Sequence, residues 1–226
     1  MLNTLNHIAI IMDGNRRWAK KNKLDQIEGH RKGIETAKFI AKYCHNKNIK
    51  ELTLYAFSMQ NWKRPKLEIK SLLKLFSTLF EDKSHFFIKN NFKFNPIGRI
   101  DELNEAVKIK INSLKEKTKA NNAMTINVAI NYGGIEEIID TYERIALNNE
   151  KNIDRKILKK YSYLPESNEI DLIIRTGGYS RLSNFLNLHN SYSELEISNI
   201  LWPDFNQEDF EEILSKYKKI ERNYGK

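Results

Sequence analysis

The chain has 226 residues, of which 40% are hydrophobic and 11% aromatic, and it carries 38 Lys and Arg against 29 Asp and Glu. This composition excludes a disordered or fibrous chain and predicts a single domain over residues 1–226. The net charge of +9 favours an anionic partner: nucleic acid, a phosphorylated small molecule or an acidic lipid surface. The single cysteine, Cys44, excludes an intramolecular disulfide and a Cys-rich metal site, and we expect it to be buried.

The hydrophobic pattern predicts strands that alternate with helices along the chain. The first predicted elements are a strand at Leu5–Met12, a basic helix at Arg17–Lys23, a helix at Gly33–Lys47, a strand at Leu52–Phe57, a loop at Ser58–Pro65 and a long apolar helix at Lys66–Asn90. The later ones are a strand at Phe92–Gly98, a helix at Leu103–Lys119, a strand at Met124–Ile130, a polar helical region at Tyr142–Tyr161, strands at Ile170–Arg175 and Glu194–Ile197, and a helix at Gln207–Asn223. This alternation predicts an α/β fold with a mainly parallel central sheet of about six strands, covered by helices on both faces.

The amino-terminal segment has no basic leader followed by a small-residue cleavage site. No apolar run approaches the roughly 18 residues that a membrane-spanning helix needs, so we expect a cytoplasmic protein. No stripe of basic and aromatic residues marks a sheet face, so we expect no nucleic acid as a partner.

Four predicted strands end in polar, glycine-bearing or aromatic segments, which begin at Asp13, Ser58, Asn131 and Arg175. Because the carboxyl ends of parallel strands meet at one edge of a sheet, we expect these segments to form one rim. The rim would carry five arginines, whose planar donors match phosphate oxygens: Arg16, Arg17, Arg64, Arg175 and Arg181. The pattern favours an anion site, although a single such arginine is usually solvated or salt-bridged and a Gly-Gly pair is usually only a turn.

Several of these residues have an ordinary structural alternative. Asp13 could cap the next helix or bind Mg²⁺ among phosphates, and Glu194 could be a second metal ligand or a surface residue. His30 could be structural or could donate a proton to a leaving diphosphate. Trp18 and Trp62 could pack in the core or wall a pocket.

Seven segments, in order along nearly the whole chain, resemble the cis-prenyltransferases, in particular the bacterial undecaprenyl diphosphate synthases. They are His7–Ala19, Gly29–Gly33, Leu52–Pro65, Asn131–Gly134, Asp171–Gly178, Arg181–Phe185 and Leu201–Phe205. The resemblance implies a homodimeric, Mg²⁺-dependent transferase that condenses isopentenyl diphosphate with an allylic diphosphate, usually farnesyl diphosphate. Each addition would form a cis double bond, and repetition would give a long polyprenyl diphosphate, undecaprenyl diphosphate, for cell-wall synthesis.

The resemblance also implies roles for individual residues. Asp13 and Asn61 would be catalytic, Asn61 as the proton acceptor, and Asp13 and Glu194 would bind the metal. The allylic diphosphate would contact Gly14, Asn15, Arg16, Arg17, Trp18 and His30. Isopentenyl diphosphate would be held by Arg175, Arg181, Leu182 and Ser183, and the substrate residues near Asn61 would be Ser58, Met59, Gln60, Trp62 and Arg64.

A growing hydrocarbon chain needs a dry tunnel, and the broad apolar surface of the predicted helix Lys66–Asn90 suits one wall of it. The resemblance places the tunnel between sheet and helices, with Met124, Ile126 and Val128 at its floor. The product would reach a membrane by transient surface contact. Five positions depart from the pattern frequent in the family: Gln26 for arginine, Gln60 for glutamate, Ile135 for arginine, and Tyr179 and Ser180 for an acidic–histidine pair.

A second hypothesis is a protein without catalytic activity that binds RNA, an anionic membrane or a partner subunit. Its metal-site residues would then be vestigial. Incorporation of isopentenyl diphosphate distinguishes the two hypotheses.

Overall fold

The computed structural model describes residues 4–82 and 84–221, with side chains described outside residues 76–84. Six strands alternate with eight α-helices in the described part of the chain. The strands are β1 His7–Ile11, β2 Glu51–Ser58, β3 Phe92–Ile97, β4 Met124–Tyr132, β5 Leu172–Arg175 and β6 Glu194–Ile197. The helices are α1 Asn15–Lys21, α2 Gln26–Asn46, α3 Lys66–Asp82, α4 Ser84–Lys89, α5 Glu105–Thr118, α6 Gly134–Leu147, α7 Arg155–Tyr161 and α8 Gln207–Lys218, with 3₁₀ turns at Met59–Lys63, Ile100–Glu102 and Trp202–Asp204.

The strands form one sheet in the order β3-β4-β2-β1-β5-β6, and every pairing is parallel. The central strand β1 is flanked on both sides, with Ile8 in register with Leu52 of β2 and Leu172 of β5. The predicted α/β fold with a mainly parallel sheet of about six strands is therefore confirmed. All the carboxyl ends of the strands lie at one edge of the sheet.

Both faces of the sheet are buried, as is usual for a parallel sheet. Because successive side chains of a strand point to opposite faces, Ile8 and Ile10 join one apolar cluster while Ala9 and Ile11 join the other. The first cluster includes residues of α2, α5 and α8, among them Cys44. Cys44 is fully buried, as predicted, and burial raises the pKa of its thiol.

Helix α2 begins at Gln26, seven residues before the predicted start at Gly33. Gly29 and Gly33 both lie inside the helix, and both are buried. A Cβ at Gly29 would overlap the carbonyl oxygen of Asn15, the first residue of α1. These glycines therefore permit a close crossing of α1 and α2.

The predicted helix Lys66–Asn90 is helical over α3 and α4, and residue 83 lies outside the described residues. The predicted region Tyr142–Tyr161 needs correction because it is two helices: α6 begins eight residues earlier, at Gly134, and α7 covers Arg155–Tyr161. The prediction missed the start of α6, although Ile135, Ile138, Ile139 and Tyr142 follow helical spacing. The predicted terminal helix ends at Lys218, and residues 222–226 lie outside the described range.

Helix α6 exposes an apolar stripe at helical spacing. Ile135, Ile138, Ile139 and Tyr142 are 56%, 42%, 45% and 65% exposed. In the described part of the chain, no helix is both long and apolar enough to cross a bilayer.

Candidate active site

A cavity of about 1090 Å³ opens at the carboxyl ends of β1, β2 and β5. Its walls are the segments that follow these strands, together with the start of α2. The structure brings most of the predicted site residues together there: Asp13, Gly14, Asn15, Arg16, Arg17, His30, Ser58, Gln60, Asn61, Arg64, Arg175, Arg181 and Ser183. Three of the four strand-end segments expected at the rim, those that begin at Asp13, Ser58 and Arg175, thus form a strongly basic wall, whereas the segment that begins at Asn131 does not line the cavity.

Asp13 lies between two arginines in this wall. Its Oδ1 accepts a hydrogen bond from Arg17 Nη2 at 3.1 Å, and its Oδ2 accepts one from Arg175 Nη2 at 2.8 Å. Its backbone oxygen accepts from Thr176 Oγ1 and from the Trp202 amide, which fixes the carboxylate at the end of β1. Gly14, not Asp13, is the N-cap residue of α1, so the capping alternative for Asp13 is not what the structure adopts.

Arg175 ends β5 and is almost wholly buried, with a side-chain exposure of 4%. Its Nη1 donates to Ser183 Oγ at 2.7 Å and to the carbonyl oxygen of Arg181. Its Nε has no hydrogen-bond partner in the part of the chain that the structure describes. A buried guanidinium with an unused donor beside one carboxylate can accept a further anion.

Asn61 and its neighbours form the opposite side of the cavity. The amide of Ser58 donates to Asn61 Oδ1 at 3.1 Å, which holds the Asn61 side chain at the start of the 3₁₀ turn after β2. Arg64 Nη1 donates to Glu68 Oε1 at 3.2 Å, and Arg16 Nε lies 3.6 Å from the same oxygen. Glu68 of α3 therefore anchors two of the predicted arginines, a role that the sequence analysis did not identify.

A second, apolar cavity of about 120 Å³ adjoins the first, between the sheet, α2 and α3. Asn15 and His30 line both cavities, and Asn15 Oδ1 and His30 Nε2 are buried without partners within the described residues. Of the three predicted floor residues, Ile126 and Val128 line the apolar cavity, whereas Met124 is buried in the core. The basic cavity and the apolar cavity therefore adjoin each other at two unsatisfied polar atoms.

Five predicted site residues lie away from the polar cavity or do not line it. Trp18 Nε1 donates to Asp204 Oδ1 at 2.6 Å, and Trp62 Nε1 donates to Asn131 Oδ1 at 2.6 Å. Leu182 packs against the second apolar cluster. Met59 and Glu194 do not line the cavity either.

Glu194 is the first residue of β6 and is in register with Leu172, the first residue of β5. Three residues of a strand, about 10 Å, separate that level from Arg175 at the cavity. The metal-ligand role predicted for Glu194 therefore does not follow from the geometry of one chain. Within residues 4–82 and 84–221, no cluster of three or more His, Cys, Asp or Glu side chains could hold a metal ion.

Two cavity residues were not identified as functional from the sequence. Tyr179, noted only as a departure from a family pattern, stands among arginines of the wall. Asn184 clamps the segment containing Ser183 to the start of α6: its Oδ1 accepts from the Ile135 amide and its Nδ2 donates to Glu136 Oε2, both at 2.9 Å. The only sequence signal for Asn184 was its place in the segment Arg181–Phe185.

Burial and the charges of Arg64 and Arg16 lower the pKa of His30 from 6.5 to about 4. An unfolded chain binds a proton at this histidine below pH 6.5, whereas the folded chain does not until about pH 4. The stability contributed by neutral His30 is therefore present above pH 6.5 and is lost as the pH falls from 6.5 towards 4.

We accordingly expect wild-type protein to lose more unfolding free energy than His30→Gln between pH 6.5 and 4, as measured by urea denaturation at several pH values. The glutamine variant is the matched control, because it cannot titrate. Equal pH dependence in the two proteins, or an NMR titration of His30 with a midpoint near 6.5, would contradict this assignment.

Residues 11–225 match the family described as "Putative undecaprenyl diphosphate synthase". The chain belongs to this family. It is 41% identical over 219 residues to an isoprenyl transferase of Fusobacterium nucleatum, covering 97% of this chain and 95% of the relative. It is 40% identical over 231 residues to a farnesyl-diphosphate-specific ditrans,polycis-undecaprenyl-diphosphate synthase of Wigglesworthia glossinidia brevipalpis, covering 100% and 89%.

Solved structures of the family share the fold. A probable undecaprenyl diphosphate synthase from Campylobacter jejuni matches with a TM-score of 0.86 and 34% identity over the whole of both chains. A lavandulyl diphosphate synthase from Lavandula x intermedia, in complex with dimethylallyl diphosphate, matches with a TM-score of 0.93 and 29% identity over 98% of each chain. The resemblance identified from the sequence segments is thereby confirmed, and the chain is an isoprenyl transferase rather than a binding protein without activity.

Proposed function

We propose that this isoprenyl transferase condenses isopentenyl diphosphate repeatedly with farnesyl diphosphate, in cis configuration, to give undecaprenyl diphosphate. The observation that carries the proposal is the junction of the two cavities, where a basic wall around Asp13 adjoins an apolar pocket. A diphosphate ester with a hydrocarbon tail likewise has a negatively charged part, which suits the basic wall, and an apolar part, which suits the apolar pocket. The bound allylic diphosphate of the lavandulyl diphosphate synthase and the farnesyl specificity of the Wigglesworthia relative support the choice of substrate.

Within this proposal, two groups of residues hold the two diphosphates. Arg175, Arg181 and Ser183 would bind isopentenyl diphosphate, since Ser183 and the carbonyl of Arg181 already fix the Arg175 guanidinium. The allylic diphosphate would lie near the residues that face the apolar pocket or precede it: Gly14, Asn15, Arg16, Arg17 and His30. Orientation of two substrates in one cavity makes the bond-forming step effectively unimolecular.

The chemistry requires an arrangement that stabilises a departing diphosphate. Negative charge accumulates on that group as its bond to the allylic carbon breaks, and fixed guanidinium groups stabilise that charge more than the ground state. Asn61, held by the Ser58 amide, is the proposed proton acceptor. Because a neutral amide accepts a hydrogen bond but is too weak a base to keep a proton, Asn61 would orient the proton that leaves isopentenyl diphosphate towards the departing diphosphate, whose oxygens take it up.

We also propose Mg²⁺ as the cofactor, held by Asp13. The donor set fits this ion, because Mg²⁺ commonly binds proteins through one or two carboxylates and takes its other ligands from substrate phosphates and water. Asp13 is the carboxylate that lines the basic cavity, and 29% of its side chain is exposed. When bound, Mg²⁺ would neutralise part of the charge on the diphosphates.

The apolar cavity would be the start of the product tunnel. Ala37 and Leu72 form parts of its helical wall, while Ile126 and Val128 come from the sheet. Each additional CH₂ buried there would contribute about 0.8 kcal/mol, which favours retention of a growing chain. Residues 1–226 would act as a single cis-prenyltransferase domain.

The proposed tunnel predicts that Val128→Phe shortens the product. A phenyl ring would fill part of a cavity of about 120 Å³ and would stop elongation earlier. Thin-layer chromatography of radiolabelled products measures chain length. Met124→Leu is the control, because Met124 does not line the cavity; an unchanged product from Val128→Phe together with a shorter one from Met124→Leu would refute the tunnel.

The homodimer implied by the resemblance is part of the proposal, with the exposed stripe of α6 as the interface. Ile135, Ile138, Ile139 and Tyr142 form an exposed apolar surface, and two-fold dimers commonly bury such surfaces. Ile135, at a position where the family frequently has arginine, extends that stripe. Sedimentation equilibrium tests the proposal: we expect twice the mass of one chain.

A cytoplasmic enzyme with transient membrane contact completes the proposal. A groove of about 530 Å³ between α3 and α5 is lined by Lys66, Ile69, Lys70 and Leu73, and Leu67 of α3 is 81% exposed. Lysines beside apolar side chains suit an anionic lipid surface. Co-sedimentation with phosphatidylglycerol vesicles, against phosphatidylcholine vesicles as control, tests this contact.

Incubation of the full chain with farnesyl diphosphate, radiolabelled isopentenyl diphosphate and Mg²⁺ tests the function itself. We expect label in butanol-extractable polyprenyl diphosphate, and none when EDTA replaces Mg²⁺. Folded protein that incorporates no label would reject the proposed substrates and reaction.

A further inference from the structure

Tyr179 lies in the segment after β5 and faces the basic cavity. Three guanidinium groups surround its ring: the Cζ atoms of Arg181, Arg17 and Arg175 are 4.2, 4.8 and 5.7 Å from the ring centroid. All three distances are within the range of about 6 Å in which a cation is attracted to the face of an aromatic ring. One side chain therefore contacts arginines that come from three different segments of the chain.

These arginines differ in how else they are held. Arg17 and Arg175 share the Asp13 carboxylate, and Arg17 also donates to the Gly177 carbonyl oxygen at 2.7 Å. Arg181 is exposed, and no carboxylate pairs with it in the described ranges 4–82 and 84–221. The guanidinium groups of Arg17 and Arg175 repel that of Arg181, so the side chain of Arg181 would turn away from them without another attractive contact.

We propose that Tyr179 is a positioning residue that holds the Arg17, Arg175 and Arg181 guanidiniums, Arg181 above all, in place where the sites for the two diphosphate groups meet. The inference rests on the diphosphate-binding role proposed for this cavity and adds a residue to it.

The chemistry of the ring explains why a tyrosine serves this site. A carboxylate at position 179, where the resembling family frequently has an acidic residue, would pair with a guanidinium and compete with a bound diphosphate. The ring face attracts guanidinium groups through its quadrupole without cancelling their charge. The cavity therefore keeps its full positive charge for the ligand.

Binding of inorganic pyrophosphate to the full chain, measured by calorimetry in Mg²⁺ buffer, tests the proposal without relying on turnover. Tyr179→Leu removes the ring and keeps an apolar side chain, and we expect its Kd to rise about tenfold. Tyr179→Phe keeps the ring and should bind within about twofold of wild type. A series of fluorinated phenylalanines at position 179, which weaken the ring face without changing its shape, should weaken binding step by step.

Several results would overturn the proposal. It fails if Tyr179→Leu binds pyrophosphate with wild-type affinity, or if Tyr179→Leu and Tyr179→Phe lose affinity equally. It also fails if the wild-type protein does not bind pyrophosphate. In the transferase assay, we expect Tyr179→Leu to raise the KM for isopentenyl diphosphate while kcat stays within about twofold. If wild type incorporates no isopentenyl unit but the pyrophosphate series behaves as expected, the proposed reaction fails and the role of Tyr179 stands.

Discussion

Asp13→Ala is expected to lower kcat for isopentenyl transfer by about a thousandfold while the protein remains folded. The variant loses the proposed Mg²⁺ ligand and the acceptor that holds Arg17 and Arg175 in place. It leaves the cores on the two faces of the sheet unchanged. Initial rates of radiolabel incorporation measure the effect, and thermal unfolding followed by circular dichroism verifies the fold.

Asp13→Asn separates the two roles of this carboxylate. Asparagine has the same shape and can still accept one arginine hydrogen bond, but it carries no charge and is a poor Mg²⁺ ligand. We expect its activity to stay within about tenfold of the alanine variant. Turnover at the wild-type rate in Asp13→Ala would remove Asp13 from the mechanism.

Arg175→Lys is expected to lower kcat/KM for isopentenyl diphosphate by about a hundredfold. The Arg175 guanidinium spans Asp13 on one side and Ser183 with the Arg181 carbonyl on the other. Lysine keeps the charge but presents a single ammonium group without a planar fork, so it cannot make both sets of contacts. Steady-state kinetics with isopentenyl diphosphate as the varied substrate measures the loss.

Arg144→Lys is the matched control for this substitution. Arg144 donates to the Tyr161 carbonyl oxygen at 3.0 Å and does not line the basic cavity. We expect its kinetics to equal those of wild type. If both variants lose activity equally, or if Arg175→Lys is as active as wild type, Arg175 does not bind the substrate.

The parallel sheet could be predicted because its strands are short apolar runs separated by helical patterns, and parallel packing then puts their carboxyl ends at one edge. Asp13, Asn61 and Arg175 all lie just after or at such ends, so their approach follows from topology. The strand order was not predicted, because hydrophobicity does not determine which strand pairs with which. The level of Glu194 relative to the cavity could not be predicted either, since it depends on the register of β6 against β5.

Other features depend on contacts that periodicity does not encode. The early start of α2 requires Gly29 to approach the backbone of Asn15, although glycine usually marks the end of a helix. The role of Asn184 depends on its contact with α6, 49 positions away in sequence. Tyr179 becomes informative only when three arginines are found around its ring. Each of these features depends on a contact between particular residues, which becomes visible only in the structure.

Because Cys44 is the only cysteine in the chain and is fully buried with a raised thiol pKa, it would react poorly with maleimides while the protein is folded. A cysteine introduced at an exposed site, such as position 67 on α3 or 147 on α6, would therefore take up a fluorophore or spin label selectively. Distances between such labels could then follow α3 through a catalytic cycle without first removing a native thiol.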